Sequence, residues 1–252
     1  MVMVADFTVE RVREIALDTY EMKVKNEEVI NQVKPGQFLH IQVPNFTLRR
    51  PISIADVEED GIITIIFKAL GEGTTELSTY KQGDHLQAIA PCGNGFSIEN
   101  KKDDTIVLVG GGVGVPPLHY LGKLLKRQNN KVITIIGFQT KESVFYEEEF
   151  RAFSDETIVV TDDGSYGEKG FVTDILKQIK DYDTYYSCGP FPMLKAVTQL
   201  VSGKEGFISL EERMGCGVGA CFACVIPTNE ENGYKKICQD GPVFPAQEVV
   251  LP

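Results

Sequence analysis

The sequence predicts a β-barrel, then an α/β domain built on a parallel sheet, then a small cysteine-rich C-terminal domain. Three observations carry this reading. Short apolar strands at close spacing fill residues 1–98, the pattern of a small antiparallel barrel. Strands and helices alternate across 99–209, which implies a parallel sheet covered by helices. Four of the six cysteines crowd into residues 210–252, while residues 1–209 hold only Cys92 and Cys188. At 252 residues the chain suffices for one large or two modest domains with real cores.

In the first zone, alternation across Phe7–Ile15 leads to PGQFLHIQV (35–43), a turn followed by a strand. GIITIIFKAL (61–70) is a second strand, and GEGTTELSTY after it opens a short helix. QGDHLQAIAP (82–91) is a turn and strand. In the second zone, TIVLVGGGVGVPPLHYLGKLLKRQ (105–128) runs strand, glycine turn, helix, with Leu118, Leu121, Leu124 and Leu125 at helical spacing. KVITIIGF (131–138), TIVVTDDGS (157–165) and TYYSCGP (184–190) are buried strands; FVTDILKQI (171–179) and PMLKAVTQLV (192–201) are helices.

A net charge of −11 disfavours nucleic acid and anionic membrane surfaces as partners. No window holds the ~18 uninterrupted apolar residues of a membrane span, and the first residues lack the pattern of a secretory signal. The cytosol is the expected compartment. There thiols stay reduced, so clustered cysteines point to a metal rather than to disulfides.

Cys216, Cys221, Cys224 and Cys238 are spaced C-x4-C-x2-C…C, the plant-type spacing for a [2Fe–2S] cluster. Gly217, Gly219, Ala220 and Ala223 let the backbone wrap closely and aim N–H groups at sulfur. A structural zinc ion also accepts four thiolates and is the alternative. It more often uses two separated C-x2-4-C pairs.

Two further patterns concern nucleotides. Arg50, Pro51, Ile52 and Ser53 follow a barrel strand, and Gly73, Thr74 and Thr75 open a helix. The helix start offers N–H groups and hydroxyls to a pyrophosphate, and Arg50 adds a bidentate charge. Ser53 is placed to hydrogen-bond a flavin ring nitrogen. A surface arginine and a plain helix cap are the alternatives when each motif is taken alone. In VLVGGGVGVPP, Gly110, Gly111, Gly112 and Gly114 lie between strand and helix, with Pro117 in the last small position; a tight structural turn competes with phosphate binding. Cys188, Gly189 and Pro190 end a later strand, where Gly189 leaves space for a flat ring. Cys188 is the one candidate for a place near a nicotinamide–flavin contact, against the inert buried thiol that is commoner. Gln139–Glu142 offers an acid and no arginine, which leans toward NAD rather than NADP. His40, His85 and His119 share no ligand spacing and read as solvated or core residues.

RPIS, KALGEGTTELS, PCGNGF, GGGVGVPPL, CGP and ERMGCGVGACFACV…CQDGPVF occur in that order. Together they resemble the electron-transfer subunits of class 1B dihydroorotate dehydrogenase, within the ferredoxin–NADP reductase superfamily. The likeness runs over essentially the whole chain. It implies FAD, a [2Fe–2S] cluster and NAD⁺, and an FMN-containing catalytic subunit as partner in a heterotetramer of two plus two. It places FAD against Arg50–Ser53, Phe67, Lys68, Ala69, Thr74 and Thr75, and the cluster on the four cysteines. It also implies a role in pyrimidine biosynthesis, with dihydroorotate reacting on the other subunit. Ile52 departs from the superfamily, which has a tyrosine stacking on the flavin there. The segment that shields the flavin in many reductases corresponds to Ser209–Arg213. Two other readings stay open: an NAD(P)H-dependent reductase feeding a ferredoxin, sulfur or oxygenase system, and a zinc-stapled non-redox binding module. Relatives of the first kind tend to carry aspartate at the position of Cys216.

Overall fold

In a computed structural model, which describes residues 2–99, 101–231 and 233–252, the N-terminal strands close into a six-stranded barrel. They are β1 (Met3–Ala16), β2 (Thr19–Lys25), β3 (Phe38–Gln42), β4 (Arg50–Val57), β5 (Ile62–Lys68) and β6 (His85–Cys92), ordered β1-β2-β5-β4-β3-β6 with every neighbour antiparallel. Alternation puts Phe7, Val9, Met22, Val24, Leu39 and Ile65 inside, all fully buried. Each such side chain contributes up to about 1.5–3 kcal/mol. Two short helices fill the connections: α1 (Glu27–Ile30), whose first N–H groups are met by the Asn26 side chain, and α2 (Glu72–Ser78).

The second zone is a sheet flanked by helices. β7 (Thr105–Gly111) is followed by α3 (Pro116–Arg127), β8 (Lys131–Phe138), α4 (Glu147–Arg151) and β9 (Glu156–Thr161). Then come β10 (Glu168–Lys169), α5 (Val172–Leu176), β11 (Thr184–Cys188), α6 (Phe191–Leu200) and β12 (Glu205–Ser209). Pro116 and Pro117 sit in the first turn of α3, where a missing N–H costs nothing. The C-terminal segment adds the hairpin β13 (Val225–Pro227) and β14 (Tyr234–Lys236), then β15 (Val243–Pro245). The large sheet runs β10-β9-β8-β7-β11-β12-β15, parallel except for β15 against β12. The C-terminal segment is thus tied into the sheet, and also into the barrel: the Asn94 amide donates to the carbonyls of Gln239 and Asp240 at 3.0 and 3.1 Å.

Barrel and sheet are locked by charge. Lys123 on α3 meets Asp56 on β4 at 2.6 Å. Glu21 on β2, only 3% exposed, accepts from Arg11, Arg13 and the Tyr146 hydroxyl. Burial opposes its ionisation, but these donors hold its carboxyl below the usual range. Among the described residues, no helix is long and apolar enough to cross a membrane.

Candidate functional site

The strand order reverses at β7, with β8 on one side and β11 on the other. Open α/β sheets bind ligands beyond the strand ends at such a point. A cavity of about 550 Å³ lies there, lined by Gly111 and Gly112 at the end of β7, Phe138 and Gln139 at the end of β8, Asp162 after β9, and Pro190 after β11. Gly110, Gly114, Cys188 and Gly189 do not line it. A β-carbon on Gly114 would stand 2.4 Å from the Cys188 carbonyl, and one on Gly110 3.0 Å from Val115. Both glycines therefore serve close packing of the turn. Cys188 is fully buried, and burial pushes its thiol well above its ordinary value.

A second cavity, of about 300 Å³, opens beside the first and shares Lys68 and Val113 with it. Of the residues expected to hold a flavin, Pro51, Ile52, Ser53, Phe67, Lys68 and Thr74 line it. Arg50, Ala69, Gly73 and Thr75 lie outside the lining. Arg50 nevertheless meets α2: its guanidinium covers Gly73 and lies 4.9 Å over the Phe46 ring. RPIS and GEGTT, distant in sequence, are one surface. The far wall comes from Leu210, Glu211 and Glu212, within the Ser209–Arg213 segment expected to shield the ring, and from Met214 just after it.

Glu211 was not singled out by any motif. Solvent reaches it through the cleft, yet protein walls surround it, and this burial raises its carboxyl to about 7. Asp162 was missed as well. Its carboxyl is raised by burial and by neighbouring Asp163. Only contacts made by folding distinguish either residue from other surface acids.

The four cysteines approach as two pairs. Cys221 N–H donates to the Cys216 sulfur at 3.3 Å, and Cys238 N–H to the Cys224 sulfur at 3.4 Å. Gly219 N–H adds a third bond, to the Cys238 sulfur, at 3.2 Å. Gly217 and Gly219 both have positive φ, at +72° and +78°, where a side chain would strain the turn. Burial opposes ionisation of Cys216, but N–H groups from Val218 and Cys221 overcome it and bring the thiol down to about 6. Burial and the Cys224 thiol push Cys238 up to about 12. Among the described residues, no three His, Cys, Asp or Glu side chains form a single-ion site. Two sulfur pairs are the donor set that a two-iron cluster takes.

His40 adds a feature that histidine spacing did not reveal. It is fully buried, packs against Gly217, and neither ring nitrogen has a partner. Burial and the Arg49 charge lower its pKa to about 4, so the ring is neutral. An orphaned buried polar group beside a thiol loop fits a loop that holds something.

Three family profiles cover the chain: an FAD-binding domain over residues 4–117, an oxidoreductase NAD-binding domain over 108–199, and the iron–sulfur cluster binding domain of dihydroorotate dehydrogenase B over 211–250. The electron transfer subunit of dihydroorotate dehydrogenase B (NAD⁺) from Bacillus velezensis is 49% identical, covering 98% of this chain and 99% of the relative. Its namesake from Fusobacterium nucleatum is 45% identical, with 98% and 99% covered. This chain belongs to the dihydroorotate dehydrogenase B electron transfer subunit family. Membership sets aside the zinc-stapled module, because the matching C-terminal domain is an iron–sulfur one. It also makes the chain an oxidoreductase with FAD-, NAD- and iron–sulfur-binding domains. Among solved structures, that of NADH-dependent reduced ferredoxin–NADP oxidoreductase superposes with a TM-score of 0.88 at 32% identity, covering 98% of this chain and 90% of that one.

Proposed function

We propose that this chain passes electrons from an FMN-containing catalytic subunit to NAD⁺ as dihydroorotate is oxidised. One observation carries the reading. The 300 Å³ cavity is bounded by the barrel at Ser53, by the nucleotide turn at Val113 and by the segment leading to the cysteine loop at Met214. It adjoins the cavity we assign to nicotinamide, sharing Lys68 and Val113 with it, and reaches the residues that lead into the thiol loop. FAD, when bound there, supplies exchange between one-electron transfer with the cluster and two-electron transfer with nicotinamide. The protein's residues hold and insulate. Ser53 and Thr74 offer hydrogen bonds, Phe67 and Met214 exclude water, and Gly111, Gly112 and Pro190 shape the nicotinamide cavity.

Cys216 pairs with Cys221, and Cys224 with Cys238, in holding a [2Fe–2S] cluster. We assign 1–98 to FAD, 99–209 to NAD and 210–252 to the cluster, in a cytosolic assembly of two subunits of each kind. A reducing cytosol keeps the four thiols available to iron. The reductase reading, running from NAD(P)H to a ferredoxin, draws on the 0.88 superposition. It ranks second because that chain is 32% identical, against 45–49% for the curated subunits.

Metal and flavin analysis of the purified chain tests the assignment: one FAD and two irons are expected, and zinc in place of iron would overturn it. Cys216→Ser and Cys224→Ser should each lose the cluster, since a hydroxyl is a harder ligand than a thiolate. FAD and NADH-driven dye reduction should remain.

A further inference from the structure

His40 lies midway along β3, the strand between the flavin segment and the cysteine loop. Across β3, Phe38 faces Ser53 and His40 faces Pro51 in register with β4. On its other side the ring meets the loop: a β-carbon on Gly217 would stand 2.2 Å from Nδ1 and 2.8 Å from Cε1. Both ring nitrogens are buried without a partner. The carbonyls of Cys216 and Arg49 lie beside the ring but complete no hydrogen bond. Its strand neighbours, Pro51 and Ile89, offer no side-chain acceptor. A folded chain rarely leaves a polar ring unanswered, and the ring faces the turn that carries Cys216.

We propose that His40 is a positioning residue for the iron–sulfur cluster: its imidazole donates an N–H to sulfur held in the Cys216–Gly217 turn. The bond ties the ligand loop to the flavin strand. It also stabilises the reduced cluster, which carries one more negative charge, and so raises the reduction potential. Gly217 belongs to the same device, because any side chain there would displace the ring. The proposal rests on the iron–sulfur reading above.

The test compares wild type, His40→Leu and His40→Gln in the full chain, by iron content, by spectra of the reduced cluster and by redox titration. Leucine fills the space without a donor; glutamine keeps one. His40→Leu should carry iron with its reduction equilibrium displaced about tenfold, a fall of about 59 mV for one electron, and with an altered paramagnetic spectrum. His40→Gln should recover most of the wild-type potential. A loaded His40→Leu cluster at the wild-type potential would overturn the proposal, as would a glutamine variant displaced as far as leucine. If His40→Leu takes up no iron, His40→Gln decides alone. A loaded cluster near the wild-type potential supports the donor, and an empty or displaced one refutes it. Absence of iron from wild type would instead overturn the iron–sulfur reading.

Discussion

The guanidinium of Arg50 lies over the backbone of Gly73 so closely that a β-carbon there would stand 2.4 Å from its Nη2 and 2.5 Å from its Nε. Arginine and glycine come from a barrel strand and a helix more than twenty residues apart, yet each fixes what the other can be. Gly73→Ala is therefore expected to act through Arg50. Alanine suits a helix better than glycine, so the fold should hold while the guanidinium is displaced. Arg50→Ala should weaken FAD by about 1.5–3 kcal/mol, roughly ten- to hundredfold, with little effect on NADH. Gly73→Ala should weaken FAD in the same direction, and the double variant should be no worse than Arg50→Ala. Fluorescence titration with FAD reads all three. Additive losses would mean that the two residues act separately.

Asp162 gives the cavity proposed for nicotinamide a negative wall just after β9, with Asp163 beside it. A 2′-phosphate brought near that carboxylate meets repulsion that a ribose hydroxyl does not. Asp162→Asn should narrow the preference for NADH over NADPH roughly tenfold or more, mainly by improving NADPH. Dye-reduction kcat/KM with each nucleotide measures it. An unchanged ratio would place selectivity elsewhere.

Much of this architecture was legible. Residues 7–15 and 131–138 announce strands by alternation and by unbroken apolar character, and the thiol spacing announces the cluster. β2 does alternate, with Tyr20, Met22 and Val24 against Glu21, Lys23 and Lys25, but its sequence does not show where Glu21 goes. That carboxylate is buried on the barrel's outer surface, where Arg11, Arg13 and Tyr146 meet it after folding. β15 is three residues long and exists only by pairing with β12. Gly110 and Gly114 read as phosphate glycines, yet they face Val115 and the Cys188 carbonyl, and Gly111 and Gly112 reach the cavity. A run of glycines looks the same whether ligand or backbone comes close. Glu211 and His40 carry no motif; only long-range contact singles them out.

Glu211 makes stability depend on pH. Solvent reaches Glu211 in the open cleft, but the protein walls crowding it raise its carboxyl to about 7, above the 4.5 of an ordinary glutamate. A raised folded-state value means that its stabilising contribution is full below about 4.5 and is lost as pH rises through about 7. Glu211→Gln removes that loss. In protein stripped of FAD, the variant should melt above wild type at pH 8, with the difference closing toward pH 5. Parallel melting curves for the two proteins across that range would show that Glu211 is not held neutral by its surroundings.

The last prediction concerns the partner. Phe222 is 62% exposed, Tyr234 54% and Val218 45%, and all three belong to the cysteine loop or its hairpin. The two aromatic rings lie 5.6 Å apart, with the Lys236 ammonium 4.4 Å from the Phe222 ring. Apolar rings held outside a core, next to the cysteines proposed to hold a one-electron carrier, form a surface suited to a donor that must come close. With the flavin and nicotinamide filling the two cavities, dihydroorotate is expected to react on the other subunit. The isolated chain should therefore reduce dyes with NADH but leave dihydroorotate untouched. Adding the catalytic subunit should create NAD⁺-dependent dihydroorotate oxidation that neither chain shows separately. Phe222→Asp places a charge in the centre of that surface and should cut the mixed activity at least about tenfold, the usual effect of losing a central aromatic contact. NADH–dye activity and iron content should not change. Dihydroorotate oxidation by the chain alone, or full mixed activity in Phe222→Asp, would contradict the division of labour argued from these residues.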